Sequence, residues 1–150
     1  MDAFGRIVVP VDFSPFSKRA LRAALRLGRT CGAEVHLVHV VPEYDLPSAF
    51  HIRPPDREEL EARVSRWAGR AFDDYLRSEG TKGVRLIRVV RYGKPARNIC
   101  GYATEVGADL ILIASHGRSG FQRAVFGSVA EKVLRLAEQP VMIVKGPPEE

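Results

Sequence analysis

Asp109-Leu110-Ile111-Leu112-Ile113-Ala114-Ser115-His116-Gly117 runs from an apolar segment into a glycine loop; nine residues later, Gly127-Ser128-Val129-Ala130-Glu131 opens a helical pattern. Residues 109–114 are short and rich in Leu and Ile, as in a strand covered on both faces. Downstream, Ala130, Val133, Leu134 and Ala137 recur on one helical face, and Ser128-x-x-Glu131 matches a capping box. Strand, glycine loop and helix start in this order are where an open α/β sheet receives anions: glycine lets a ligand approach the backbone, and unpaired N–H groups face it. No Gly-x-x-x-x-Gly-Lys-Ser/Thr or Gly-x-Gly-x-x-Gly occurs, which excludes a P-loop and the usual dinucleotide fingerprint.

Outward from that stretch, apolar runs alternate with helical patterns. Ile7–Val11 reads as a first strand, and Ser14 followed by Pro15 as a helix cap and first turn. Ala20, Leu21, Ala24, Leu25 and Leu27 form the buried stripe of that helix, which Gly32 ends. Val35–Val41 is the second strand. The proline-bearing connection from Pro42 to Pro55 is long enough for a lid. Asp56 begins a helix with Leu60, Val64, Trp67, Ala71 and Tyr75 at helical spacing, ended by Gly80. Val84–Val90 leads through Gly93-Lys94-Pro95 into a helix carrying Ile99, Ala103 and Val106, stopped by Gly107. Val141–Val144 is a fifth strand.

Five strands alternating with four helices predict a single-domain, doubly wound parallel sheet in the order 3-2-1-4-5, built from right-handed crossovers. Ligands then belong at the carboxyl ends of the strands, in the crevice between the first and fourth. Asp12, His39-Val40-Val41 and Ala114–Gly117 converge there.

With 150 residues, 45% hydrophobic and 27% charged, the chain suits one globular domain with its own core. No window approaches the roughly 18 apolar residues of a membrane span, so a cytoplasmic protein is expected. The net charge of +5 suits an anionic partner, but the arginines are scattered rather than clustered, and nucleic acid is not expected. Cys31 and Cys100 lack metal or redox spacing and read as reduced thiols. His36 and His39 are expected on the same side of the second strand as core histidines. His116 reads as a loop-packing or ligand-contacting residue. Arg118 and Arg123 flank the glycine loop and can screen anionic charge.

Val9-Pro10-Val11-Asp12-Phe13-Ser14, Leu37-Val38-His39-Val40, Gly93-Lys94-Pro95, Ser115-His116-Gly117 with Gly127-Ser128, and Pro140-Val141-Met142-Ile143-Val144, in this order and spacing, resemble the universal stress protein family across essentially the whole chain. The resemblance implies an adenine-nucleotide alpha hydrolase-like fold. The family's ATP binders share Gly-x-x-Gly, nine residues, then Gly-Ser/Thr; here Ala114 stands at the first glycine, while Gly117, Gly127 and Ser128 match. It implies that Pro10, Asp12 and Val40 line the adenine and ribose end, and that Gly117, Gly127, Ser128 and the Val129 N–H hold phosphates. Asp12 has a structural alternative, supporting the turn into the first helix, and Ser128 has one as helix cap.

The function expected is an ATP-binding stress-response regulator, with ATP, ADP or AMP as ligand, Mg or Mn as companion, and at most slow hydrolysis because no catalytic base is evident. The alternative is a nucleotide-free dimeric interaction module, for which Ala114 is the relevant departure. An adenylyl-transfer enzyme would carry a His-x-x-His or comparable transfer signature directly after the first strand, where the chain reads Asp12-Phe13-Ser14-Pro15 instead. A homodimer through the Val141–Val144 edge is expected in either case.

Overall fold

The computed structural model describes residues 3–42, 54–117 and 126–147. Along the chain run β1 (Arg6–Pro10), α1 (Pro15–Cys31), β2 (Glu34–Val41), α2 (Pro54–Leu76), β3 (Arg85–Tyr92), α3 (Pro95–Glu105), β4 (Leu110–Ala114), α4 (Ser128–Leu136) and β5 (Val141–Val144). The strands form one parallel sheet in the order β3-β2-β1-β4-β5, as the alternation of elements predicts. Register is set by apolar pairs: Ile7 lies between Val35 and Leu110, and Ile113 lies opposite Ile143.

Strand period two divides the core into two layers. Ile7, Val9, Leu37 and Leu112 pack with Leu21 of α1 and Phe72 of α2. Val8, Val38 and Ile111 face Ile99 of α3 and Val133 of α4. Most of these side chains are fully buried, each contributing about 1.5–3 kcal/mol of apolar transfer.

Helix ends show what local chemistry dictates. Ser14 caps α1, its side chain accepting from the Ser17 N–H at 3.4 Å, and Gly32 closes it in the left-handed conformation (φ 68°) that glycine adopts without steric cost. Helix α2 begins at Pro54 rather than Asp56, because prolines are tolerated in a first turn, where N–H groups have no helical acceptor. It ends at Leu76 rather than Gly80: Arg29 reaches across to the carbonyls of Gly80 and Lys82, holding residues 77–83 in turns.

The start of α4 departs from the capping-box expectation. Gly127 is the N-cap, Ser128 is the first helical residue, and no side chain caps the helix. The reason is tertiary. The Gly127 N–H donates to the Ser115 carbonyl at 2.6 Å, docking the helix start onto the end of β4 one residue earlier. Glu131 pairs with Arg135 at 2.7 Å instead of reaching back to the cap. Leu134, expected on the buried face, is 41% exposed, so the stripe narrows to Ala130 and Val133.

Candidate functional site

At the carboxyl edge of the sheet, the ends of β1, β2 and β4 open into a cavity of about 630 Å³, within the range of small-molecule sites. Pro10, Asp12, Val40, Ala114, His116, Gly117, Gly127, Ser128 and Val129 all line it. Arg118, Arg123 and nearly all of the Pro42–Pro55 connection lie outside the described residues.

Two glycines make the loop geometry possible. A Cβ on Gly117 would stand 2.7 Å from Asp12 Oδ2, and one on Gly127 would stand 3.3 Å from the Ser115 carbonyl and 3.5 Å from His116 Cα. Gly127 therefore serves the approach of backbone to backbone, holding α4 against residues 115–117. Its φ of −66° is ordinary, so space rather than conformation demands glycine. Ala114 ends β4 as a regular strand residue whose methyl joins the apolar layer under α1 and α2. It has no positive φ for a side chain to strain.

Asp12 does two things with two oxygens. Oδ1 accepts the Ser14 N–H at 2.9 Å, bracing the turn into α1, while Oδ2 faces Gly117 across the crevice. His116 Nδ1 lies 3.1 Å from Ser115 Oγ, and its ring is 6.4 Å from that of Phe16. On the opposite side, the N–H groups of Ser128, Val129 and Ala130 are the first of α4; helical geometry gives them no acceptor within the helix, and these residues line the cavity.

His36 and His39 do not share a face. Residues three apart in a strand point in opposite directions. His36 lies under α3, with Nδ1 2.6 Å from Tyr102 Oη and Nε2 2.6 Å from Glu34 Oε1. His39 lies on the α2 side and lines the cavity, and its Nδ1–H donates to the Val11 carbonyl at 2.8 Å. Both are satisfied core residues. Cys31 and Cys100 are free thiols, and among the described residues no three His, Cys, Asp or Glu side chains converge as a metal site.

The cavity also recruits residues without a motif, among them Ser17, Val64 and Trp67. Ser17 Oγ lies 2.5 Å from Tyr75 Oη, whose phenol burial pushes well above its usual value and keeps neutral. Phe13 adopts φ 63°, costing about 1–2 kcal/mol for a residue with a Cβ. It is held there by rings of His39 (4.4 Å), Phe72 (5.0 Å), Tyr75 (5.6 Å) and Trp67 (5.9 Å). Aromatic pairs contribute about 0.5–1.5 kcal/mol each, enough to offset the strain. Nothing in the sequence marks a phenylalanine for this conformation. Trp67 reads as one more member of a helical stripe, yet it is 43% exposed at the cavity rim.

This architecture has relatives. The model of the universal stress protein family matches residues 3–145. The chain belongs to the universal stress protein family. Universal stress protein YxiE of Bacillus subtilis is 30% identical over 147 residues, covering 95% of this chain and 99% of YxiE. The structure of MJ0577 from Methanocaldococcus jannaschii, also a universal stress protein, superimposes with a TM-score of 0.81 at 26% identity, over 97% of this chain and 98% of that one. The universal stress protein from Archaeoglobus fulgidus solved in complex with dAMP matches at a TM-score of 0.58 and 27% identity, over 97% of this chain and all of that one. Universal stress proteins thus share this fold, and at least one has been captured with an adenine nucleotide.

Proposed function

We propose that this universal stress protein binds ATP, or ADP or AMP, in the cavity at the carboxyl edge of its sheet and acts as a regulator with at most slow hydrolysis. The observation that carries the reading is the cavity itself. One end presents the first N–H groups of α4 beside Gly117, suited to phosphate; the other presents Pro10, Val40 and β2 backbone, suited to an adenine. The dAMP complex of the Archaeoglobus relative supports it. Ala114 does not favour the nucleotide-free alternative, since its backbone is regular and its methyl packs in the core. Asp12 is the acidic side chain on the described cavity wall, so Mg or Mn would be held chiefly by phosphate oxygens and water, with Asp12 as protein ligand.

Two experiments test this. Denaturing the purified protein and chromatographing the supernatant should release an adenine nucleotide. ATP with magnesium should stabilise the protein against heat by about 2.7 kcal/mol at a hundredfold excess over its Kd, and GTP at the same concentration should do so less. Equal shifts for ATP, GTP and inorganic triphosphate would leave only a phosphate site, and no shift with any of them would remove the nucleotide altogether.

The same reading includes a homodimer in a reducing cytoplasm, where two free thiols are at home. β5 is an edge strand. The carbonyls of Pro140 and Val144 accept from Ile111 of β4 and from Ser115 just after it, so by alternation the backbone of Val141 and Ile143 faces outward. Ile143→Pro removes one outward N–H without touching the β4 ladder. Light scattering should then show a monomer with unchanged circular dichroism; a persisting dimer would place the interface elsewhere.

A further inference from the structure

The α2 side of the cavity carries a feature that neither the glycine loop nor the helix start explains. Trp67, the single tryptophan of the chain, is 43% exposed, whereas Phe72 and Tyr75 farther along the same helix are 1% and 5% exposed. It lines the cavity together with Val64, one turn earlier on α2. Its ring also packs against two others. It meets Phe13 edge-on at 5.9 Å and 84°, and His39 at 5.8 Å. His39 is tied to the Val11 carbonyl, and Phe13 is wedged in its left-handed conformation against Phe72 and Tyr75. An indole held half in water by two fixed rings, on the wall of a cavity, is preorganised to receive a flat partner.

Its position selects the partner. In the sheet order, β2 lies two strand spacings from β4, about 10 Å. Trp67 and Val64 stand over the β2 end, while the N–H groups of α4 and the Gly117 backbone stand at the β4 end. The cavity therefore has an aromatic, apolar pole and a hydrogen-bond-donating pole, fitting a ligand with a planar head and an anionic tail.

Resting on the nucleotide reading above, we infer that Trp67 is a specificity-determining wall of the site, against which the planar base of the bound nucleotide lies. Contact with an aromatic ring rewards base area and reads no particular edge, so Trp67 favours purines over pyrimidines, while the β2 backbone distinguishes adenine from guanine.

A lone tryptophan makes the test direct. ATP with magnesium, titrated against the protein with excitation beyond the adenine absorption band, should change the emission with the midpoint that calorimetry gives for binding. Inorganic triphosphate should leave the emission unchanged. Trp67→Ala should weaken ATP binding by about tenfold, roughly 1.4 kcal/mol, leave triphosphate binding within about twofold and narrow the ATP-to-CTP preference; Trp67→Phe should restore most of the loss. If ATP binds by calorimetry while the emission stays constant, or Trp67→Ala binds ATP as tightly as the parent, Trp67 is not part of the site although the nucleotide reading stands. If the unaltered protein binds no nucleotide, both fall together. Should Trp67→Ala fail to fold, the emission titration on the unaltered protein decides alone.

Discussion

The two ends of the parallel sheet are built from similar materials and arranged for opposite purposes. At the amino end, charges are consumed by one another. Asp109 Oδ2 accepts the N–H groups of Gly5 and Arg6 at 2.8 and 2.9 Å. Glu34 takes His36 at 2.6 Å and Arg85 at 3.1 Å, with Arg6 at 3.8 Å. At the carboxyl end, the backbone turns outward into a cavity, a carboxylate oxygen faces a glycine, and a helix presents its first N–H groups. The difference teaches where binding capacity comes from: polar groups that satisfy each other, even around a hollow as at Arg6, Glu34, Arg85 and Asp109, leave little for a ligand to take, while those held apart by glycines and a strained turn make a site.

The sharpest way to break this contrast is at Gly127. Gly127→Val would drive a branched side chain into the Ser115 carbonyl and His116, 3.3 and 3.5 Å from the first added carbon, pushing α4 away from β4. Overpacking costs about 1–3 kcal/mol of stability. ATP affinity should fall at least about tenfold by calorimetry, because the loop and the helix N–H groups separate. Tight binding by a folded variant would put the phosphate cradle elsewhere.

At the other end, Glu34→Ala should cost about 1–3 kcal/mol in urea denaturation at neutral pH, since it strips a buried His36 Nε2–H of its acceptor. ATP affinity should remain that of the parent, and a loss would couple the two ends in a way the contacts do not show.

A finer effect is pH dependence. The hydrogen bond with His36 first, then the charges of Arg85, His36 and Arg6, hold the Glu34 carboxyl below its ordinary 4.5 against the opposing pull of burial. A depressed folded-state value means the stabilisation is present above about 4.5 and is lost as pH falls through the lower folded value. Urea midpoints should therefore drop on acidification below about pH 4.5, and Glu34→Gln should flatten that portion of the curve. Parallel curves for parent and variant would remove Glu34 from the acid transition.

The smallest expected effect is at Ser128, the first residue of α4 and not its cap. Ser128→Ala should change apo stability by less than about 0.5 kcal/mol, well short of the ~1 kcal/mol for removing a side-chain cap. Any loss should appear in nucleotide affinity alone. A full unit of apo destabilisation would restore Ser128 as a structural cap.

Much of this architecture was legible without coordinates. The alternation of apolar runs with helical stripes, Ser14-Pro15 before α1, Gly32 after it and the strand-to-glycine transition at 110–117 all act through local backbone chemistry. Sheet order and cavity position follow from them by the handedness of crossovers. The opposed faces of His36 and His39 contradict the shared side expected for them, although strand alternation, which separates residues three apart, already implies the opposition. What the chain could not announce are outcomes of contact between distant segments. The Ser115 carbonyl decides that Gly127 rather than Ser128 caps α4. Four rings from β2 and α2 decide that Phe13 holds a left-handed backbone. The same ring cluster decides that Trp67 faces the cavity instead of joining the core. Period and capping preferences are properties of a few consecutive residues and can be read from them; which of several satisfactory local states is occupied depends on partners tens of residues away, and only the folded chain brings those together.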